Sequence, residues 1–179
     1  MSSIKTEEYS LKENYRSMAQ HRMGKVISAD GDNFVCYSRY GTEFTVTKGL
    51  TLSFPDSEES YQNNIYFQTL LSEKGFAPRL LKKDMKVKKK GHIFMMWISE
   101  DAGLPIEDED IPACNVLLDK LYDEGIIVTP YVLKSWFIKG FDGKIRMTDF
   151  TLTEQFDEPI QKEDRRYLRP STPKTSGTT

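Results

Sequence analysis

An α+β fold is what this sequence predicts: short strands gathered into small antiparallel sheets, with a few helices between them. Three observations point there. Asp30-Gly31-Asp32-Asn33 lies between two apolar runs, and Asp-Gly supplies the positive φ angles that a tight β-hairpin needs. Two amphipathic stretches, opening near Asp56 and Ile111, each close on a glycine, Gly75 and Gly125. The last third breaks into very short apolar runs separated by turn residues, among them Gly140-Phe141-Asp142-Gly143.

The elements follow in order. Met23–Ala29 and Phe34–Tyr40 are the arms of the first hairpin. Gly41-Thr42 turns the chain into Glu43–Lys48, where Phe44, Val46 and Lys48 share one face by the two-residue period of a strand. Asp56-Ser57-Glu58-Glu59 opens a helix with an acidic first turn and an Asp-x-x-Glu form of the capping box. Tyr61, Ile65, Gln68 and Leu71 then recur at helical spacing. Leu80–Val87 and His92–Ile98 are strands joined across Lys88-Lys89-Lys90-Gly91. An acidic linker, Ser99–Asp110, leads to a helix over Ile111–Glu124 with Cys114, Leu117, Leu118 and Leu121 inward. Ile126–Val128, Trp136–Ile138 and Lys144–Thr148 complete the pattern.

Composition narrows the class. The chain has 179 residues, which favours one domain, with 38% apolar, 12% aromatic and 29% charged residues. Aromatics at that level argue against global disorder. A net charge of -2 offers no general attraction to nucleic acid or acidic lipid. No stretch approaches the ~20 apolar residues of a bilayer span. The N-terminal residues lack the apolar core of a signal peptide. Cys36, Cys114, His21 and His92 show no metal-ligand spacing, and two cysteines are too few for a disulfide framework. The expectation is an intracellular protein with neither metal nor resident cofactor. Residues 1–22 form a polar arm, and 169–179, rich in Ser, Thr and Pro, form a flexible tail.

The order β-β-β-α-β-β-linker-α-β-β, together with four local patterns, resembles a compact protein-kinase-like fold of the Bud32, RIO or viral type. Phe44-Thr45-Val46-Thr47-Lys48 resembles the third-strand motif whose lysine holds nucleotide phosphates. Asn64–Leu71 with Gly75-Phe76-Ala77-Pro78 is similar to the regulatory helix and its exit. Ile93–Ile98 followed by Gly103-Leu104-Pro105 resembles the hinge. Leu117–Ile127 resembles the helix into a catalytic loop, and Gly143–Phe150 the strand that ends in a metal-binding Asp-Phe-Gly motif. The resemblance implies a first lobe over 23–98, a sheet with one helix. A hinge and truncated helical second lobe would follow over 99–168. It also implies a nucleotide cleft lined by Val46, Met95 and Trp97, with Lys48 and Asp149 as the surviving polar groups.

The departures weigh more than the matches. Phosphoryl transfer is mostly positioning and electrostatics, so each missing charge counts. The catalytic Asp position falls on Pro130, or Tyr131 in the neighbouring register, and the metal-binding Asn position falls on Ser135 or Trp136. The helix position that pairs with the lysine holds Asn64 or Asn63 instead of Glu. Thr151 follows Phe150 where glycine is usual, and the glycine-rich loop is reduced to Gly31 between two aspartates. No catalytic residue is therefore assigned, and ATP with Mg²⁺ would bind weakly if at all. The expected function is that of a pseudokinase, an interaction, decoy or assembly module in the cell or in a viral assembly. Its partner would be a kinase or neighbouring subunits. An active atypical kinase or nucleotide-binding protein using Lys48 and Asp149 is the alternative; it would need Asp123 or Glu124 as base. The shortened second lobe should expose apolar surface unless something covers it.

One charged feature stands apart. Lys82, Lys83, Lys86, Lys88, Lys89 and Lys90, with Asp84, carry a net +5, and the six acidic residues of the linker come after the intervening strand His92–Ile98. Solvated lysines guarding an edge strand explain this best. The alternating blocks also make the surface dipolar, which suits steering of a protein partner. No aromatic residues interleave with the lysines, so nucleic acid is an unlikely ligand.

Overall fold

The computed structural model describes residues 26–30, 33–41, 43–52, 55–89, 91–128 and 132–170. The expected N-terminal arm, the Gly31 turn, Pro130 and Tyr131, and residues 171–179 of the tail lie outside the described residues.

The expected meander forms as β1 (Val26–Asp30), β2 (Asn33–Tyr40) and β3 (Glu43–Thr51). After the helix α1 (Ser57–Glu73), β4 (Leu80–Lys89) and β5 (His92–Glu100) return to the same antiparallel sheet. The strand order is β1-β2-β3-β5-β4, so β3 is central and β4 is an edge. In the β3–β5 register Lys48 lies opposite Trp97 and Leu50 opposite Met95. Cross-strand partners share a face. That face packs on α1, where Leu50, Met95 and Trp97 form a buried cluster with Tyr61 and Ile65.

α1 buries the residues that its periodicity marks, Tyr61, Ile65, Gln68 and Leu71. The Asp-x-x-Glu capping box does not form. Asp56 sits at φ -93°, ψ 3° and makes no side-chain cap bond. An N-cap side chain reaches the helix from an extended backbone, which Asp56 does not adopt. At the other end a Schellman motif closes the helix: the Phe76 amide donates to Leu71 O at 2.8 Å and the Gly75 amide to Ser72 O at 3.0 Å. Gly75, at φ 76°, supplies the left-handed residue this motif needs. The Gln68 amide ties α1 to the sheet, donating to Ser99 Oγ at 2.6 Å and Pro78 O at 3.1 Å and accepting from the Trp97 indole at 3.1 Å.

The expected acidic linker is more structured than its sequence suggests. Ser99 and Glu100 still belong to β5, and Gly103–Pro105 forms β6. Leading into α2, a turn of 3₁₀ helix over Asp108–Asp110 carries a reciprocal capping box between Glu107 and Asp110. The helix α2 (Ile111–Asp123) buries Cys114, Leu117, Leu118 and Leu121 as expected. β7 (Ile126–Val128) then pairs with β10 (Thr153–Gln155). A hairpin of β8 (Phe137–Gly140) and β9 (Ile145–Met147) adds β6 to make a second small sheet. β8 and β6 meet where only glycine fits, since a Cβ on Gly103 would lie 2.2 Å from Lys139 O. The larger core gathers Phe67 and Leu71 of α1, the inward face of α2, Phe137, Met147 and Phe150. It is continuous across the boundary at residue 98.

A strap covers α2. Beyond β10 the chain folds back, and its four-residue helix α3 (Lys162–Arg165) and the residues after it bring the guanidinium groups of Arg165 and Arg169 within 6 Å of the Tyr122 ring, at 5.9 and 5.8 Å from its centroid. Arg165 bonds Asp123 at 2.7 Å and Ile160 O at 2.9 Å. Arg169 bonds Asp119 at 2.6 Å and Asn115 O at 2.8 Å, while the Tyr122 hydroxyl donates to Leu168 O at 2.6 Å. Burial alone would raise the Asp119 carboxyl, but Arg169 and Arg165 outweigh it and hold its pKa below the ordinary value. The strap thus covers part of α2.

Arg165→Ala should lower the unfolding free energy by about 2 kcal/mol. Its charged hydrogen bonds and its stacking on Tyr122 are lost, although its aspartate partners are partly exposed and screened. The melting temperature should fall by roughly 4–8 °C. A change inside experimental error would show that the strap rests on Ile160 and Leu168 alone.

Candidate functional site

β3 delivers Lys48 to a place where the two halves of the chain meet. With Val46 it faces the α1 side of the sheet, as the two-residue period predicts. Its ammonium donates a hydrogen bond to Thr148 O, the carbonyl just before Asp149. Burial pushes the Lys48 pKa down, and the neighbouring Asp149 carboxylate opposes that shift. Lys48 and Asp149, far apart in sequence, are therefore brought together.

Val46 is half-buried beside Lys48, and Trp97 lies opposite Lys48 on the same face, but Met95 and Trp97 line no opening among the described residues. Both are buried in the cluster between sheet and α1, and Trp97 stacks edge-on with Tyr61 at 5.6 Å. Their bulk serves packing there.

Asn63 and Asn64 grip the segment after Asp149. The Asn64 side chain accepts from the Phe150 amide at 3.1 Å and donates to Thr151 Oγ1 and Ser60 O, both at 2.9 Å. Asn63 donates to Phe150 O and Thr153 O, each at 2.8 Å. The asparagines thus bind the Asp149–Thr153 segment, where the expectation had one of them facing Lys48. An asparagine can both donate and accept, which suits a main chain that offers an N–H and carbonyls in turn. A glutamate could only accept.

The neighbouring groups are engaged elsewhere. Asp149 accepts from the Thr151 amide at 3.0 Å, closing a turn on its own main chain. Phe150 is fully buried. Trp136 packs against the larger core, and its carbonyl accepts from the Thr148 amide at 2.7 Å. The candidate bases are spent on ion pairs, Asp123 with Arg165 and Glu124 with Lys74. Among the described residues no group of three His, Cys, Asp or Glu side chains is placed to hold a metal ion. Among the same residues no helix is long and apolar enough to cross a membrane.

Sequence reasoning missed the Thr148 carbonyl as the partner of Lys48, since a main-chain acceptor leaves no mark in side-chain identity. The double asparagine was the legible sign of the clamp. No family model matches the chain, and no curated protein matches it.

Proposed function

We propose that this chain is a catalytically inactive, kinase-like module that works by binding another protein. The observation that carries the reading is the state of Lys48. Its ammonium is buried against Thr148 O beside Asp149, and Asn63 and Asn64 fasten the following residues to α1. A phosphate-binding lysine must offer its charge to an incoming anion. Here a neutral main-chain carbonyl already accepts its hydrogen bond, with the Asp149 carboxylate near enough to act on its charge, so a nucleotide would have to displace a contact that the fold itself uses.

The kinase-like part of the reading draws support from connectivity. A five-stranded antiparallel sheet with its helix inserted between β3 and β4 is followed by a helix and two small sheets, β7 with β10 and β6-β8-β9. The Lys48 bond to Thr148 O, one residue before Asp149, bridges the two parts and brings Lys48 near Asp149, which is the proximity that the resemblance implies. Inactivity draws support from α1, which turns two amides and no carboxylate toward Phe150.

One observation favours the second reading, a nucleotide-binding protein. Lys48 and Asp149 are adjacent, and together they could meet a phosphate and its magnesium ion. Thermal melting with and without saturating ATP and Mg²⁺ separates the two. No shift is expected. Occupancy at a hundred times Kd would add about 2.7 kcal/mol and raise the melting temperature by roughly 5–10 °C. Such a rise, lost in Asp149→Asn, would replace the binding-module reading with a nucleotide-dependent one.

A further inference from the structure

We infer that the groove between α1 and β4 is a docking site for an acidic peptide segment of a partner protein, one that carries a bulky apolar side chain. Two observations meet there. The first is a cavity of about 420 Å³ whose wall includes Ile65, Tyr66, Thr69, Leu70 and Glu73 of α1 and Lys83 of β4. Tyr66 is 57% exposed on its rim, against a Phe67 that is almost wholly buried beneath it. An exposed tyrosine standing on a rigid helix is the kind of group that dominates binding energy in protein interfaces.

The second observation is the charge along the strand. β4 is an edge, and Lys82, Lys83, Lys86 and Lys88 are all exposed on it. Lys86 lies opposite Met95 and Lys88 opposite Ile93, so both stand on the α1 side of the sheet. Positions two apart on a strand are about 7 Å apart, which sets Lys86 and Lys88 in a row. Between Lys82 and Met85 the ladder is irregular, with Asp84 at φ 57°, and the bulge puts Lys83 in the cavity wall on the same edge strand. Asp84, the acid among them, has its carboxylate bonded by the Tyr61 hydroxyl at 2.9 Å, and Lys82 turns to the Tyr40 ring. Glu73, the acidic side chain in the cavity wall, is the last residue of α1 and faces the apolar part of the occupant in this arrangement, while the acids of the occupant lie along β4. An occupant that sets an apolar side chain in the cavity and acidic residues along β4 meets both features.

Other occupants fit less well. A nucleic acid would want a series of exposed rings for base stacking, and the groove offers Tyr66 alone. A lipid surface would use the lysines and leave the cavity unused. This site is separate from the Lys48 region, so the proposal stands or falls independently of whether nucleotide binds there.

The experiment is an amide NMR titration of isotopically labelled full-length protein with a short synthetic peptide carrying a pair of phenylalanines among glutamates. Shifts should concentrate in α1 and β4. Tyr66→Ala, at an exposed position that should not disturb folding, and the double variant Lys83→Glu/Lys86→Glu should each weaken binding by about tenfold or more. Leu70→Arg should do the same by filling the cavity. Lys144→Glu, on the β8–β9 turn, should leave binding unchanged. Replacing the phenylalanines by alanine should abolish it. Binding that survives Tyr66→Ala and Leu70→Arg but fails with the lysine variant would overturn the proposal in favour of charge attraction alone. No shift at millimolar peptide would also overturn it. So would capture by phosphatidylserine vesicles that the lysine variant abolishes while the peptide fails to bind, or self-association that Tyr66→Ala dissolves.

Discussion

Asn64→Leu is expected to lower the unfolding free energy by about 3 kcal/mol, a fall of roughly 6–12 °C in melting temperature at this chain length. The side chain is 3% exposed and makes three hydrogen bonds, to the Phe150 amide, Thr151 Oγ1 and Ser60 O. Leucine has the same number and branching of side-chain heavy atoms and keeps the helix, so little of the loss comes from a cavity. What remains is the cost of leaving a buried Phe150 N–H and a threonine hydroxyl without partners, about 1–3 kcal/mol for each buried group. Asn63→Leu is the internal comparison. Asn63 is only half-buried and its three acceptors, the Phe150, Thr151 and Thr153 carbonyls, are ones that water can reach more easily, so about 1 kcal/mol is expected. Urea denaturation of both variants measures the difference. Equal losses would mean that the Asp149–Thr153 segment relaxes as a unit, and that neither asparagine is its particular anchor.

That pair also shows how far side-chain identity reaches. The strands and both long helices were legible because burial follows period there: Phe44, Val46 and Lys48 share a face of β3, and Tyr61, Ile65, Gln68 and Leu71 share a face of α1. Three kinds of feature escaped. Gly103–Pro105 is too short for any period and holds a proline, so β6 exists only because β8 comes alongside. Thr153–Gln155 has no apolar alternation, and its strand character comes from the β7 ladder. The strap depends on Arg165 and Arg169 meeting acids some 40 to 50 positions earlier, and no local signal predicts pairs at such separation. At the site, the period rule correctly put Val46 beside Lys48, and the asparagines were singled out. Their partners are main-chain groups that every residue carries, so identity alone could not name them.

Phe150→Ala should have the largest effect of any single change, about 4 kcal/mol. The ring is fully buried and belongs to the cluster that joins Phe67 and Leu71 of α1 to Leu117, Leu118 and Leu121 of α2. Truncating it opens a cavity in the one core shared by both halves of the chain, between groups already fixed by hydrogen bonds. The Phe150 amide is held by Asn64 and its carbonyl by Asn63, so the main chain cannot sink inward to fill the space. For the same reason the two substitutions should not be additive. In a double-mutant cycle, Asn64→Leu should cost less in the alanine background than in the parent, because the anchored amide then holds nothing worth placing. A coupling of about 1 kcal/mol would show that clamp and ring act together to keep Thr148 O against Lys48. Strict additivity would mean that the ring packs without the clamp. The Lys48–Thr148 contact would then rest on the β8–β9 hairpin and its bond from the Met147 amide to Phe76 O at 2.8 Å.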